Sequence, residues 1–596
     1  MKTYFNKVLI YLRKFVVFAK SKLSHQQFML FSCVAVGISV SLATVAVKFL
    51  VFKIETFVFE DWKIGNILWY QSLLPFIGIG ISTLLISRFF KKDFLKGNDK
   101  IVYSIAKKNS NLPFSQSYSH LLTSGATIGF GGSLGLESPI VATGAAIGSN
   151  YAKSMLMSYK DKTLLIACGV AAGIATAFSA PVAGVLFALE VLFIEVSASS
   201  FIPLLISSAT GAIMSKIILN DDILLSFYNI QSFQYDNVIF YIGIGLFAGL
   251  LAVLHSKIFQ WFDGWYLKVK KITHRWLIGS FILGVLIFFF PQLYGEGYLT
   301  IKAIAETGNI DGRSILVRFT DNQWIILLYL LAVMFLKIFA SGFTLFGGGN
   351  GGSFAPSLFI GGLLGFIFGR FCQLVGFVDI PMSNFIVAGM AGMLSGVFFA
   401  PLTAIFLSAE VTNGYSLLVP LMIVAAISFF VVKSFEGLSY EMKKLSRDHR
   451  IDVTDKDTYL MSRLELGLLV QHDYPLLPVS AKMDQILDTI VHSDKDVYGV
   501  IDENDAYKGV IRLKNFKHVF MEEMKMSDKI TALDFMQKEQ PLTLKDDIDS
   551  ALHKFEISEN TNSVLPITDS NGKMLGFIRK SNILDKYRKE LLNTAH

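Results

Sequence analysis

Gly131-Gly132-Ser133-Leu134-Gly135-Leu136-Glu137-Ser138-Pro139 and Gly348-Gly349-Asn350-Gly351-Gly352-Ser353-Phe354-Ala355-Pro356 follow one pattern. The spacing that carries Pro139 onto Pro356 also carries Gly131, Gly132, Gly135, Gly144 and Gly148 onto glycines. Both stretches are glycine-rich, end in proline and sit in apolar surroundings. Glycines packed this densely beside an apolar helix let the backbone turn sharply and leave N–H groups free at a helix start. Such N–H groups and the helix dipole together attract a negative charge. Two helix starts of this kind, one in each half of a membrane protein, predict an anion site at the interface of two repeats. Glu137 puts a carboxylate into one of them, where it is costly unless it has a task.

Composition agrees with a membrane setting. Of 596 residues 53% are hydrophobic and only 17% charged, against about 25% in soluble domains. Mean hydropathy is +0.51. The apolar excess lies in residues 28–52, 73–90, 164–193, 238–254, 324–339, 358–368 and 417–432. Some of these exceed the roughly 20 residues that cross a bilayer, and others are short, as broken or tilted helices would be. The pattern predicts a polytopic all-α membrane domain over residues 28–445. The segment 1–27 is basic (Lys2, Lys7, Arg13, Lys14, Lys20, Lys22) and has no cleavage-site pattern. It reads as an interfacial helix on the cytoplasmic side, and the charged C-terminal region most simply stays on that side too. The net charge of +7 follows from this membrane bias and gives no reason to expect a nucleic-acid partner. Cys33, Cys168 and Cys372 sit in apolar segments without ligand-like spacing, so they read as packing residues.

A second pair of segments supports duplication. Residues 171–191 contain Phe178-Ser179-Ala180-Pro181 and end Leu189-Glu190-Val191, while residues 391–411 contain Phe398-Phe399-Ala400-Pro401 and end Ala409-Glu410-Val411. Two repeat pairs in one order make the whole membrane domain a duplication, and inverted repeats are common among transporters. Other membrane classes fit less well. No His-Glu-x-x-His occurs for an intramembrane metalloprotease. A divalent-cation pathway would need several pore-facing carboxylates, whereas the apolar stretches show Glu137, Glu190, Glu195 and Glu410. The expectation is anion transport, with neither an enzyme activity nor a metal site.

The residues resemble the CLC family of chloride channels and chloride/proton antiporters. That family builds its anion pathway from helix starts with the patterns Gly-Ser-Gly-Ile-Pro, Gly-Arg-Glu-Gly-Pro and Gly-Ile-Phe-Ala-Pro, plus a late tyrosine. Gly135-Leu136-Glu137-Ser138-Pro139 is similar to the second, and Gly352-Ser353-Phe354-Ala355-Pro356 to the third with one change. Tyr440 stands where the tyrosine would be. The resemblance implies that the Glu137 carboxylate mimics an anion, blocks the path and leaves when protonated. It also implies an anion site built from Gly135, Leu136, Ser138, Gly352, Ser353, Phe354, Ala355 and Tyr440. For the first pattern the candidate is Gly97-Asn98-Asp99-Lys100-Ile101. Asn98 replaces the serine as a donor to the anion, and Asp99 reads as the N-cap of a helix beginning at Lys100.

Many antiporters of the family carry two successive glutamates where this chain has Glu190-Val191. Valine cannot carry a proton, and valine here resembles the channel members. Glu195 is four residues on, on the same helical face, and is the candidate substitute proton relay. Glu190 and Glu410 read as structural anchors at helix ends.

After about residue 440 charges become dense, and short Val/Ile-rich runs such as 497–501 alternate with amphipathic stretches such as Met483–Val491. This predicts an α/β region. It too is duplicated: Tyr474-Pro475-Leu476 and Gly509-Val510-Ile511-Arg512 are echoed by Gln540-Pro541-Leu542 and Gly576-Phe577-Ile578-Arg579. The pair resembles a tandem of CBS domains, over 464–527 and 528–590 after a linker at 446–463. In that family an aspartate six residues after the glycine binds ribose. Here that place holds Asn515 and Asn582, and Arg512 and Arg579 replace the preceding hydroxyl residue. Adenine-nucleotide binding and a purely dimer-stabilising role both remain open.

Together these features predict a homodimeric, multi-pass protein of the inner cell membrane with cytoplasmic termini. Its expected action is that of a voltage-gated-type chloride channel gated by Glu137, with no required cofactor. The alternatives are a proton-coupled chloride or fluoride antiporter, and a non-transporting sensor that signals through the CBS tail.

Overall fold

The apolar stretches fold into two matched sets of eight helices. The computed structural model describes residues 22–58, 69–91, 93–192, 198–219, 230–307, 322–377, 381–412, 415–449, 466–514, 531–544, 546, 548–557, 563–569 and 571–595. The first set comprises α1 (His25–Thr56), α2 (Trp69–Arg88), α3 (Asn98–Lys107), α4 (Gln116–Gly129), α5 (Glu137–Ser154), α6 (Tyr159–Phe178), α7 (Pro181–Leu192) and α8 (Ala198–Leu219). The second comprises α9 (Val238–Lys268), α10 (Ile272–Phe289), α11 (Tyr298–Thr307), α12 (Gln323–Phe346), α13 (Phe354–Val375), α14 (Met382–Phe398), α15 (Pro401–Val411) and α16 (Leu418–Glu436), after which α17 runs Tyr440–His449. Each set opens with its longest helix, of 32 and 31 residues. Each has a ten-residue third helix and a short seventh, of 12 and 11 residues. Nine stretches among the described residues are long and apolar enough to cross a membrane. The packing repeats as well: α5 on α6 is matched by α13 on α14, α6 on α8 by α14 on α16, and α1 on α8 by α9 on α16.

The halves are joined by hydrogen bonds that interchange when the halves are swapped. Gly135 N–H donates to the Gly352 carbonyl at 2.9 Å and Gly352 N–H returns the bond to Gly135 at 2.9 Å. Ser133 N–H donates to Thr344 Oγ1 (3.2 Å), and Asn350 N–H donates to Thr127 Oγ1 (3.0 Å). Glu410, near the end of α15, accepts from the N–H groups of Val182 and Ala183 at the start of α7 (3.1 and 2.9 Å). Glu190, near the end of α7, accepts from Leu402 and Thr403 at the start of α15 (3.0 and 2.8 Å). Helices that cap each other's starts with carboxylates from their ends run antiparallel, so the two repeats are inverted. The expected anchoring role of Glu190 and Glu410 thus takes a specific form: each satisfies the orphan donors of the other half's helix.

Gly131 (φ 85°) and its counterpart Gly348 (φ 114°) make the turns that lead into the two motif loops. A Cβ on Gly131 would stand 2.0 Å from the Tyr294 ring. Gly131→Ala is therefore expected to lower stability by more than about 2 kcal/mol, combining a left-handed backbone with a clash. Gly295→Ala, with φ 60° but open space around it, should cost only about 1 kcal/mol. Thermal unfolding of the detergent-purified variants checks the contrast.

Residues from Arg450 onward form a second compact unit. Within it β1 (Leu476–Pro478), α18 (Met483–Val491), β2 (Val497–Ile501) and β3 (Tyr507–Arg512) make one α/β subunit. Helix α19 (Ala532–Phe535), β4 (Leu542–Thr543), α20 (Ile548–Ile557), β5 (Val564–Thr568), β6 (Met574–Arg579) and α21 (Lys580–Ala595) follow. Both sheets have three strands, the first pair parallel and the second antiparallel, as expected for a CBS-like duplication. The subunits pair through Gln471 with Phe577 and Val510 with Gln537, around a shared core that includes Tyr474, Val510 and Phe577. Arg512 grips both carboxylate oxygens of Glu539 (2.6 and 2.7 Å) and the Val564 carbonyl (2.9 Å), and Arg579 donates to Tyr474 Oη (2.6 Å). Both arginines are thus tied into contacts within the module. Asn582 lies partly exposed near the start of α21, and Asn515 is outside the described residues. The segment 1–21, most of the 446–463 linker and Glu195 are likewise outside them.

Candidate functional site

Glu137 is the first residue of α5 and Phe354 the first of α13, and the Gly135–Gly352 bridge holds the two helix starts against each other. The Glu137 side chain is buried, with 3% of the residue exposed. Tyr298 Oη donates to its Oε1 at 2.7 Å. The backbone N–H groups of Ala355 and of Glu137 itself are directed at the carboxylate, although Oε2 completes no well-formed hydrogen bond. That oxygen fills the space over Gly135, where a Cβ would come within 2.0 Å of it. A carboxylate of the first repeat therefore sits at the helix start of the second.

The other expected anion-binding groups are brought together here, but not all remain available. Gly135 and Gly352 spend their N–H groups on each other. Leu136 N–H donates to Glu296 Oε1 at 3.0 Å. Ser138 packs beside Gly352, whose Cβ, if present, would meet the Ser138 Cβ at 2.7 Å. The Phe354 ring is embedded among Phe178, Phe187 and Phe398, with centroids 5.6, 5.9 and 5.3 Å away. Its side chain is packing, so any anion contact from Phe354 comes from its backbone.

Glu296 is a second buried-site carboxylate that the sequence reading passed over. It belongs to the loop Tyr294-Gly295-Glu296-Gly297 before α11, held by Lys337, whose fully buried ammonium donates to the Gly295 carbonyl at 2.7 Å. Lys48 and Lys337 supply the positive charge that faces Glu296. The available signal was a glutamate flanked by glycines in an apolar region, the same signal that singled out Glu137.

Between the start of α13 and α17 lies a cavity whose walls include Val191, His255, Ser353, Phe398, Tyr440 and Glu441. Ser353 stands at the N-cap of α13 without capping a backbone N–H. Tyr440 Oη is buried without a partner, its ring edge-on to Phe259 at 5.8 Å. Ser353 and Tyr440, far apart in sequence, thus face one cavity. Asn98 is buried at the start of α3. The helix begins at Asn98 and not at Lys100, which corrects the reading of Asp99 as N-cap. Gly97, with φ 98°, turns the chain into the helix, and no side chain caps it. Asp99 instead lies buried in the first turn, 3.5 Å from the Lys100 ammonium.

The sequence profile of the voltage gated chloride channels matches residues 78–433. The chain belongs to the CLC family. It is 29% identical over 335 residues to the H(+)/Cl(-) exchange transporter ClcA of Vibrio parahaemolyticus, covering 54% of this chain and 68% of the relative. It is 28% identical over 375 residues to the voltage-gated ClC-type chloride channel ClcB of Escherichia coli, covering 61% and 84%. Among solved structures it matches a slow cyanobacterial Cl-/H+ antiporter at TM-score 0.61 and 22% identity, covering 71% of this chain and 98% of that one. A eukaryotic CLC transporter matches at TM-score 0.56 and 16% identity, covering 93% and 97%, so that fold likeness extends beyond the membrane domain. CLC proteins are channels and transporters of chloride across membranes. Departures of this CLC chain from the family's motifs at Leu136, Ser138 and Ser353 take the places described above.

Proposed function

We propose that this CLC protein conducts chloride through one path per subunit of a homodimer in the inner cell membrane, both termini cytoplasmic, with Glu137 as the gate. The observation that carries the reading is the Glu137 carboxylate at the start of α13, with Ala355 N–H directed at it. Chloride would replace that carboxylate on the same donors, and would pass the Ser353 hydroxyl and Tyr440 Oη on its way. Protonation of the carboxyl removes its charge and its claim on the helix start.

A second reading, proton-coupled exchange, is favoured by the likeness to ClcA. Against it stands Val191, an apolar wall of the cavity where a proton-carrying group would be useful. Vesicles loaded with chloride and recorded for chloride and pH together separate the two. A chloride gradient is expected to move fewer than one proton for every ten chlorides. Stoichiometric proton pumping would establish the antiporter, and its loss in Glu195→Gln would identify that residue as the relay. Repeating the assay with fluoride and nitrate tests selectivity. No flux of any anion would leave the sensor reading.

A further inference from the structure

Glu137 and Glu296 place carboxylates at the junction of the two repeats, and Glu441 places a third at the α17 end of the path. It follows Tyr440 directly and shares the cavity walls with Ser353, Tyr440 and Val191. Its carboxylate takes hydrogen bonds from both the side-chain amide and the backbone N–H of Asn98, the first residue of the ten-residue helix α3. Asn98 is 2% exposed and its Oδ1 has no partner, so the amide is held there for what its nitrogen binds. Asp99 and Lys444 face Glu441 as charged groups. Lys100 pairs with Asp99, and Tyr440 and His255 are the titratable groups across the cavity. A helix start with a buried amide donor beside a cavity that also holds a free Ser353 hydroxyl and an unpartnered Tyr440 Oη has the chemistry of an anion site. The chain's own carboxylate occupies it.

We propose that Glu441 is a second gate, a tethered anion that must leave Asn98 before chloride in the cavity can bind there. This rests on the reading that chloride uses this cavity. Asp99 already brings a carboxylate to this first turn, and chloride beside an ionised Glu441 would add a further negative charge in a low-dielectric setting, so carboxylate and chloride alternate on the Asn98 donors. Protonation of Glu441 frees the donors in the same way. Val191 adds no competing charge, which leaves Glu441 as the single carboxylate among the residues that line this cavity.

The test is chloride binding to the detergent-purified full chain, by isothermal titration calorimetry at pH 7.5 and pH 5, with efflux from phosphatidylethanolamine–phosphatidylglycerol vesicles in parallel. Glu441→Gln is expected to bind chloride about tenfold more tightly than wild type at the higher pH, and to bind it equally at both, because an amide does not compete as an anion. Wild-type affinity should rise toward the variant's as pH falls, and adding Asn98→Ala to Glu441→Gln should cancel the gain. Should Glu441→Gln fail to fold, Glu441→Asp, whose shorter arm withdraws the carboxylate from Asn98, is expected to show the same tightening. Equal chloride affinity in wild type and either folded variant at pH 7.5 overturns the proposal. If efflux still responds to Glu137→Gln in that case, the function proposed above stands and Glu441 only caps α3. If neither wild type nor Glu137→Gln shows efflux, the transport reading fails, and the binding comparison still decides Glu441.

Discussion

Replacing Glu137 by glutamine is expected to raise chloride flux at pH 7.5 at least tenfold and to flatten its dependence on pH. The wild-type carboxylate holds Tyr298 Oη and faces the Ala355 N–H, so as the proposed gate it would compete with chloride for the same positive end of α13. A hydrogen bond to a charged group is worth roughly 1.5–3 kcal/mol, and losing that competition changes occupancy by about tenfold or more. The glutamine amide keeps the size and keeps an acceptor for Tyr298 but carries no charge. The sign in wild type follows: flux rises as pH falls, because the protonated acid resembles the amide. Efflux from vesicles, measured with each face titrated separately, checks both parts. Unchanged flux with an intact pH response would remove Glu137 from the gate. Glu296 then becomes the alternative, since it holds the neighbouring Leu136 N–H.

The second large effect concerns stability. Glu410→Ala strips two charge-assisted caps from the start of α7, and Glu190→Ala strips two from α15 together with the Thr403 hydroxyl bond at 2.7 Å. Ala183 and Thr403 are buried, so their uncovered N–H groups find no ready substitute, whereas Leu402 is exposed. Each substitution should cost about 2–4 kcal/mol. The double variant should cost roughly the sum, since each carboxylate serves a different helix. Glutamine at either site should recover about half, because it keeps one acceptor oxygen without the charge. Thermal unfolding in detergent reads all five variants. A loss below about 0.5 kcal/mol for both single variants would mean that the caps are replaced by other acceptors.

The duplication was readable because its evidence is local: two glycine loops and two Ala-Pro turns, each a short word with a repeat partner. Glu137 stood out for the same reason. The inversion was not readable, because it shows only in how α7 and α15 cap each other. What escaped depended on partners remote in the chain. Nothing near Glu190 indicates that its carboxylate will sit on Leu402, or near Glu410 that it will sit on Val182. The start of α3 was misplaced because Asp99 has the chemistry of a cap, whereas the backbone freedom of Gly97 makes the turn without one. Phe354 was expected to serve an anion site, and its ring belongs to an aromatic cluster that periodicity does not reveal. Arg512 and Arg579 looked like ligand-facing replacements, and their engagement by Glu539 and Tyr474 follows from how the two CBS-like subunits dock.

The reciprocal bonding of the halves has a consequence for biogenesis. When the chain emerges up to α8, Ser133, Gly135, Val182 and Ala183 have no acceptors for their N–H groups, because Thr344, Gly352 and Glu410 are not yet synthesised. In lipid such donors have no water to turn to. The first half must therefore wait, inserted but incompletely folded, until the ribosome delivers the second. A chain truncated between the halves is left with these donors uncovered, and the caps on α7 can form only once α15 has entered the bilayer.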